Sequence, residues 1–268
     1  METERAPDAV ERVVLVTGGG TGIGRAVAAE FCRDSHVVIL GRREDRLARA
    51  VEELGPAAAY QRADVSRRED VEQAVRRIVD RHGHIDVVVN NAGLNRQVST
   101  RVPLAEGEGG WDEVLATNLK GAFLVSVAAA AHLPRPGGRI VNISSVASFT
   151  GGRVPGGLAY AASKAGLVGL TYGLAAELGP EGITVNALAP GLIAGTERTD
   201  RWPPERRRSF VANTPAGRAG SPTDVAAVVR FLASPEASFL TGAVIPADGG
   251  WLVGRGSFQS DEADPPTS

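Results

Sequence analysis

The stretch VVLVTGGGTGIGRAVAAEF, residues 13–31, decides the fold. Its opening residues are apolar and β-branched and read as a strand. Its last residues carry apolar side chains at helical spacing, and a turn dense in glycine stands between the two. A strand that feeds a helix through such a turn presents backbone N–H groups and a helix N-terminus, which together can hold a pyrophosphate. Gly18, Thr21, Gly22, Ile23 and Gly24 are the candidate contacts, although no reading of the stretch gives G-x-G-x-x-G. A tight strand-to-helix turn without a ligand accounts for the same residues.

The pattern repeats outward from this unit. HVVIL is followed by REDRLARAVEEL, DVVVNNAG by a helix through WDEVLATNLKGAFLVSVAAAA, and GRIVNISS by AYAASKAGLVGLTYGLAAELG. Then come ITVNALAPG, PTDVAAVVRFLAS and a last strand near AVIPADGG. Strands apolar at nearly every position need cover on both faces. The alternation therefore predicts an α/β fold, a Rossmann-type doubly wound parallel sheet with helices on both faces, in a single domain over residues 12–252. Residues 1–11 and 254–268 are expected to be flexible tails, and 192–215, charged and without a strand, a lid over the site.

With 43% hydrophobic and 22% charged residues and a formal charge of -2, neither a nucleic-acid surface nor an acidic tail protein is indicated. A small molecule is the expected partner. Cys32 is the sole cysteine, which excludes an internal disulfide and a cysteine-rich metal site and fits a reducing compartment. The N-terminus is charged where a secretory signal needs an apolar core, and the most apolar stretch, AFLVSVAAAA, is too short to span a bilayer. A soluble cytoplasmic protein, with no membrane, nucleic-acid or metal partner, is expected.

The end of the second strand selects between dinucleotides. An acidic side chain there accepts bonds from the adenosine ribose, but in VVILGRRED Gly41 stands in that place and Arg42 and Arg43 follow. Guanidinium groups suit a 2′-phosphate, so NADP is favoured over NAD. The same arginines could simply lie on a solvated helix start.

AYAASKAG, residues 159–166, puts Tyr160 four positions before Lys164, in a chain whose only other lysine is Lys120. Residues four apart share a helix face, so phenol and ammonium can point into one cleft. A phenol titrating near ~10 exchanges protons poorly at neutral pH unless a cation stabilises its phenolate. The alternative is a buried tyrosine beside a snorkelling lysine. Upstream, GRIVNISSVAS ends a strand with two hydroxyls facing the ligand crevice, and Ser144 or Ser145 could hold a carbonyl oxygen.

Taken together, TGGGTGIG, NNAG at 90–93, NLKG at 118–121, ISS at 143–145, YAASK at 160–164, PG at 190–191 and LTGAVIPADGG resemble the single-domain short-chain dehydrogenase/reductases. The likeness is to members like 3-oxoacyl-acyl-carrier-protein reductase and spans about residues 12–252. It implies that Tyr160 is the general acid/base, that Lys164 lowers its pKa and binds the nicotinamide ribose, that Ser145 positions the carbonyl, and that Asn118 holds a water in a proton relay. It also implies that Asp64 and Val65 meet the adenine, that Asn90, Asn91, Ala92 and Gly93 line the cofactor, and that Pro190, Gly191, Ile193 and Thr196 meet the nicotinamide end.

The sequence departs from that pattern twice. The segment from Ser145 to Tyr160 is longer than in common bacterial members, and Thr196 comes one place late after PG. The implied reaction is hydride transfer between NADP, or NAD, and a carbonyl or secondary alcohol, with a 3-oxoacyl thioester or similar ketone as first substrate class. The alternatives are NAD-dependent oxidation of a sugar, polyol or steroid alcohol, and a dinucleotide-binding regulator without turnover. A methyltransferase on a similar sheet leaves the tyrosine-lysine pair unexplained. Arg96, Arg153 and the ERRRSF stretch are candidates to attract an acidic substrate, or a solvated face. A homotetramer joined through helices 111–131 and 158–179 is implied as well.

Overall fold

A computed structural model describes residues 12–152 and 155–254. The expected tails, apart from Gly254, lie outside the described residues, as does Arg153. The strands are β1 (Val13–Thr17), β2 (His36–Gly41), β3 (Ala58–Arg62), β4 (Val87–Asn90), β5 (Arg139–Ile143), β6 (Thr184–Pro190) and β7 (Val244–Ala247). All seven join one parallel sheet in the order β3-β2-β1-β4-β5-β6-β7. The strand order reverses between β1 and β4, and the crevice at that reversal is where open α/β sheets bind ligands.

The helices are α1 (Gly22–Phe31), α2 (Glu44–Leu54), α3 (Arg68–His82), α4 (Leu104–Leu115), α5 (Gly121–Ala130), α6 (Ala147–Thr150), α7 (Leu158–Leu178), α8 (Glu197–Asp200), α9 (Pro204–Ala212) and α10 (Pro222–Leu232). The period of two along each strand divides the apolar side chains between the faces. Val13 and Leu15 pack with Ile78 of α3, Val125 of α5 and Leu174 of α7, whereas Val14 and Val16 pack with Phe31 of α1, Leu47 of α2 and Leu232 of α10. Both faces are thus covered, which is why the strands read as continuous apolar runs. Each fully buried side chain of this kind contributes about 1.5–3 kcal/mol.

β3 and α3 do not stand out in the sequence. AAYQR at the sheet edge is only half-buried, and the apolar stripe of α3 is set among charges. The single helix expected through WDEVLATNLKGAF is interrupted by one π-helical turn, Ala116–Lys120, of the kind often found at functional sites. With that turn, Leu104–Ala130 forms a run of 27 helical residues, longer than the apolar core alone suggested, and its most apolar 18-residue window has a mean hydropathy of 1.3. Of its most apolar window 44% is buried in the fold, and α5 lies against α3 and β4 as a core helix does.

The glycine turn is built by close approach. Gly18 has φ +66°, and a Cβ on Gly24 would stand 2.3 Å from the Gly18 carbonyl oxygen. Only glycine lets α1 start so near the end of β1.

Candidate active site

A cavity of about 1290 Å³ opens at the carboxyl ends of the strands and extends from the glycine turn to α9. Its rear wall is organised by Thr17. The Thr17 Oγ1 accepts the N–H groups of Asn91 and Ala92 at 2.9 Å each, and the Asn91 side chain donates to the carbonyls of Thr17 and Gly18 at 2.9 and 3.2 Å. The ends of β1 and β4 are thereby locked together and the turn is held open. Gly18, Thr21, Gly22 and Ile23 line the cavity, as do Val65, Asn91, Ala92 and Gly93. Gly24 stands behind the wall as a packing residue. Asn90 is also behind it, buried and donating to Ser126 and Asn142 at 2.8 Å each.

A dinucleotide fits what the cavity offers. Gly18, Gly20 and Gly22 line the cavity without side chains, so the turn presents bare backbone to the space a pyrophosphate needs. The volume exceeds the upper end of ordinary ligand pockets, about 1,000 Å³, and leaves room for a second molecule.

At the adenosine end Arg42 pairs with Asp64 at 3.7 Å. Burial works against the Asp64 charge, but bonds from Ser66 Oγ (2.7 Å) and Ser66 N (3.0 Å), with the charge of Arg42, outweigh it and hold the carboxyl below its ordinary range. Arg43 is exposed at the start of α2 but is not free of partners. It donates to Glu197 Oε2 at 3.3 and 3.4 Å, and Arg46 donates to the other oxygen of the same carboxylate. Neither Arg46 nor Glu197 carries a sequence signal, since the contact joins residues about half the chain apart.

Across the switch point, α7 brings Tyr160 and Lys164 to the wall, both more than nine-tenths buried. Lys164 Nζ donates to the Ile143 carbonyl at 2.7 Å and lies 5.8 Å from the centre of the Tyr160 ring. The expected shared face is therefore real, and the ammonium is anchored to the end of β5. Ser144 and Ser145 follow that strand end and are distinguished by their bonds. Ser144 Oγ donates its proton to the Lys164 carbonyl at 3.0 Å, whereas Ser145 Oγ accepts from Ala147 N at 3.2 Å and keeps its proton for another acceptor.

Asn118 sits in the π-helical turn but is not part of the cavity wall, where Thr117 stands instead. Its Oδ1 accepts from Leu94 N at 2.8 Å, and its Nδ2 donates to Leu94 O and Ser163 Oγ at 3.0 Å each. Ser163 in turn donates to the Tyr160 carbonyl at 2.8 Å, so Asn118 is linked to the turn of α7 that carries Tyr160.

Pro190, Gly191, Ile193 and Thr196 line the far side. The Thr196 hydroxyl caps α8, accepting from Thr199 N at 3.3 Å. Thr199, which the sequence did not single out, is buried at the same wall and donates to Ile193 O at 2.6 Å. The expected lid segment supplies Trp202 and Phe210. Phe210 stacks on Trp251 from the C-terminal turn at 4.6 Å, and the Arg206 guanidinium lies 3.8 Å over Trp202. Arg96, at the rim, is held in two 2.6 Å bonds to Glu113, so its charge is largely compensated.

Comparison with known proteins bears on this arrangement. A family model described as Enoyl-(Acyl carrier protein) reductase matches residues 18–252. The 3-oxoacyl-[acyl-carrier-protein] reductase FabG of Thermotoga maritima is 39% identical over 247 residues, covering 90% of this chain and 98% of its own. The short-chain reductase protein NovJ of Streptomyces niveus is also 39% identical, over 90% of this chain and 94% of its own. The crystal structure of gox2181 superposes with a TM-score of 0.84 at 36% identity, over 91% of this chain and 96% of that one.

Proposed function

The chain belongs to the short-chain dehydrogenase/reductase family, and from that premise we propose that it reduces a 3-oxoacyl thioester or a similar ketone with NADPH. It is an oxidoreductase that uses a nicotinamide dinucleotide on small-molecule substrates. The observation that carries the reading is the buried pair Tyr160 and Lys164 beside Ser145, in one cavity with the glycine turn. A dinucleotide binder without turnover has no use for that pair.

Among the residues lining the cavity, Gly18, Thr21, Gly22 and Ile23 would hold the pyrophosphate, Asp64 and Val65 the adenine, and Ala92, Gly93, Gly191 and Ile193 the nicotinamide half. When bound, the dinucleotide supplies the hydride. Tyr160 donates its phenolic proton to the oxygen of the substrate carbonyl as charge grows there, an acid/base contribution of about 10²–10⁴-fold. The Lys164 ammonium stabilises the phenolate left behind and bonds the ribose. Ser145, with its proton uncommitted to the protein, donates to the same carbonyl oxygen and stabilises its growing charge. Asn118 positions Tyr160 through Ser163.

The NADPH preference rests on the missing carboxylate at Gly41 and on Arg42, Arg43 and Arg46 at the adenosine end. The enzyme works in the cytoplasm, where a lone cysteine stays reduced, and as a homotetramer. Exposed apolar side chains on α4 and α5 (Trp111, Phe123, Val127) and on α7 (Leu158, Tyr172) supply its contact faces. Light scattering should give four times the chain mass, and a monomer would remove that part of the reading.

The test of the chemistry is Tyr160→Phe, assayed by loss of 340 nm absorbance with NADPH and a panel of 3-oxoacyl thioesters and simple ketones. Turnover should fall about 10²–10⁴-fold while NADPH still binds. An unchanged rate sinks the mechanism. Turnover only of sugars or polyols with NAD would reassign the substrate and direction.

A further inference from the structure

The arginines at the adenosine end are already engaged by an anion from the chain itself. Glu197, the first residue of α8, places its carboxylate between Arg43 and Arg46, one oxygen to each guanidinium. The three side chains are 36% (Glu197), 42% (Arg46) and 55% (Arg43) exposed and line the cavity mouth. Arg46 stands behind the glycine turn, where a Cβ on Gly20 would lie 3.5 Å from its own Cβ. On the other side, Thr196 Cγ2 lies 3.5 Å from the point a Cβ on Gly22 would take. The carboxylate is therefore inserted from the 192–215 segment into the space between the glycine turn and the exit of β2.

The two guanidinium groups share the Glu197 carboxylate at hydrogen-bond distance, and Asp45 stands 3.9 Å from Arg46 Nε. A phosphate monoester brings about -1.5 to -2 charges at neutral pH and three acceptor oxygens, against the single charge of Glu197. The seat suits a phosphate better than the carboxylate that holds it.

We propose that Glu197 is a built-in competitor for the 2′-phosphate of NADPH: it occupies the Arg43–Arg46 seat until that phosphate displaces it, and so sets how strongly the chain prefers NADPH over NADH. The proposal rests on the NADPH reading given above. NADH has no group to contest the seat, so its binding leaves the Glu197 contacts in place. Displacing Glu197 also frees the start of α8, which couples the identity of the cofactor to the segment bordering the substrate.

The experiment is calorimetric binding of NADPH, NADH and adenosine 2′,5′-bisphosphate to the wild type and to Glu197→Gln, Arg43→Ala and Arg46→Ala. Removing the competing charge should tighten NADPH and the bisphosphate roughly 3- to 10-fold and change NADH by less than about twofold, the scale of one partly exposed charge contact. Each arginine variant should weaken the bisphosphate and leave NADH nearly unchanged. If Glu197→Gln leaves the NADPH/NADH ratio unaltered, or weakens both equally, while the arginine variants still discriminate, Glu197 is only a latch and the competition is refuted with the NADPH reading intact. If no variant alters the ratio and the wild type binds NADH at least as tightly, the seat and the NADPH reading fail together.

Discussion

Ser144 and Ser145 show what a single residue's partners decide. The two hydroxyls are adjacent in the chain and both buried, and nothing in ISS distinguishes them. The distinction is the direction of a bond. A hydroxyl has one proton, and Ser144 gives its proton to the Lys164 carbonyl, while Ser145 receives one from Ala147 N. Ser145→Ala should therefore lower kcat by about 10²–10³-fold, the loss seen when one donor to a developing oxyanion is removed, and cost about 1–3 kcal/mol of stability because the buried Ala147 N–H loses its partner. Ser144→Ala should leave most of the turnover and cost about 0.5–1.5 kcal/mol for the lost bond, because the Lys164 carbonyl lies inside α7 and keeps its helical partner. Steady-state kinetics and thermal melts of both variants check this, and the reverse pattern would exchange the two roles. Tyr160 and Lys164, by contrast, were legible at once, because helical geometry fixes the relation of residues four apart wherever the helix lies.

At the scale of elements, the ends of helices hold the site in place as much as their faces do. α10 begins with a complete capping box: Ser221 Oγ accepts from Asp224 N at 3.1 Å, and the Asp224 carboxylate accepts from Ser221 N at 2.7 Å. Arg218 donates to the same carboxylate at 2.7 and 3.1 Å, and these bonds hold the Asp224 carboxyl well below the usual range. The buried face of α10 closes the core beneath α1 and hence beneath the glycine turn. Ser221→Ala should cost about 1 kcal/mol and lower Tm by about 2–4 °C, read by calorimetry, with KM for the dinucleotide little changed. An unshifted Tm would mean that Arg218 alone secures this end. The capping box is visible in SPTD, since its partners are three residues apart. The π-helical turn at Ala116–Lys120 is not, because the partners of its Asn118, Leu94 and Ser163, come from distant parts of the chain.

The whole molecule keeps its four histidines at the end of the sheet opposite the cavity, His132 there by its carbonyl, which accepts from Ile85 N at 3.1 Å. His36 and His82 have ring centres 5.3 Å apart, and His84 pairs with Asp86 at 3.0 Å. Burial first, and then the neighbouring His36, Arg81 and His84, hold the His82 imidazole below its usual range. The unfolded chain then binds the His82 proton near pH ~6.5, above the folded protein, so stability falls as pH drops through that value. Melts at pH 7.5 and 5.5 should show the wild type losing more Tm than His82→Gln, and parallel losses would place the sensitivity elsewhere. Asp34, drawn down to about 2 mainly by its bond from Arg230, loses its contribution only in a separate window below about pH 4.

The same scale separates what could be read from the chain and what could not. The sequence by itself determined the alternation of strands and helices, the glycine turn and the tyrosine-lysine pair, because each depends on residues within a few positions of one another. Only the tertiary structure decided that Glu197 meets Arg43 and Arg46, that Asn118 is linked to Tyr160 through Ser163, and that Trp251 closes on Phe210. Those contacts join distant segments, and no local periodicity encodes which distant charge or ring the packed sheet brings opposite.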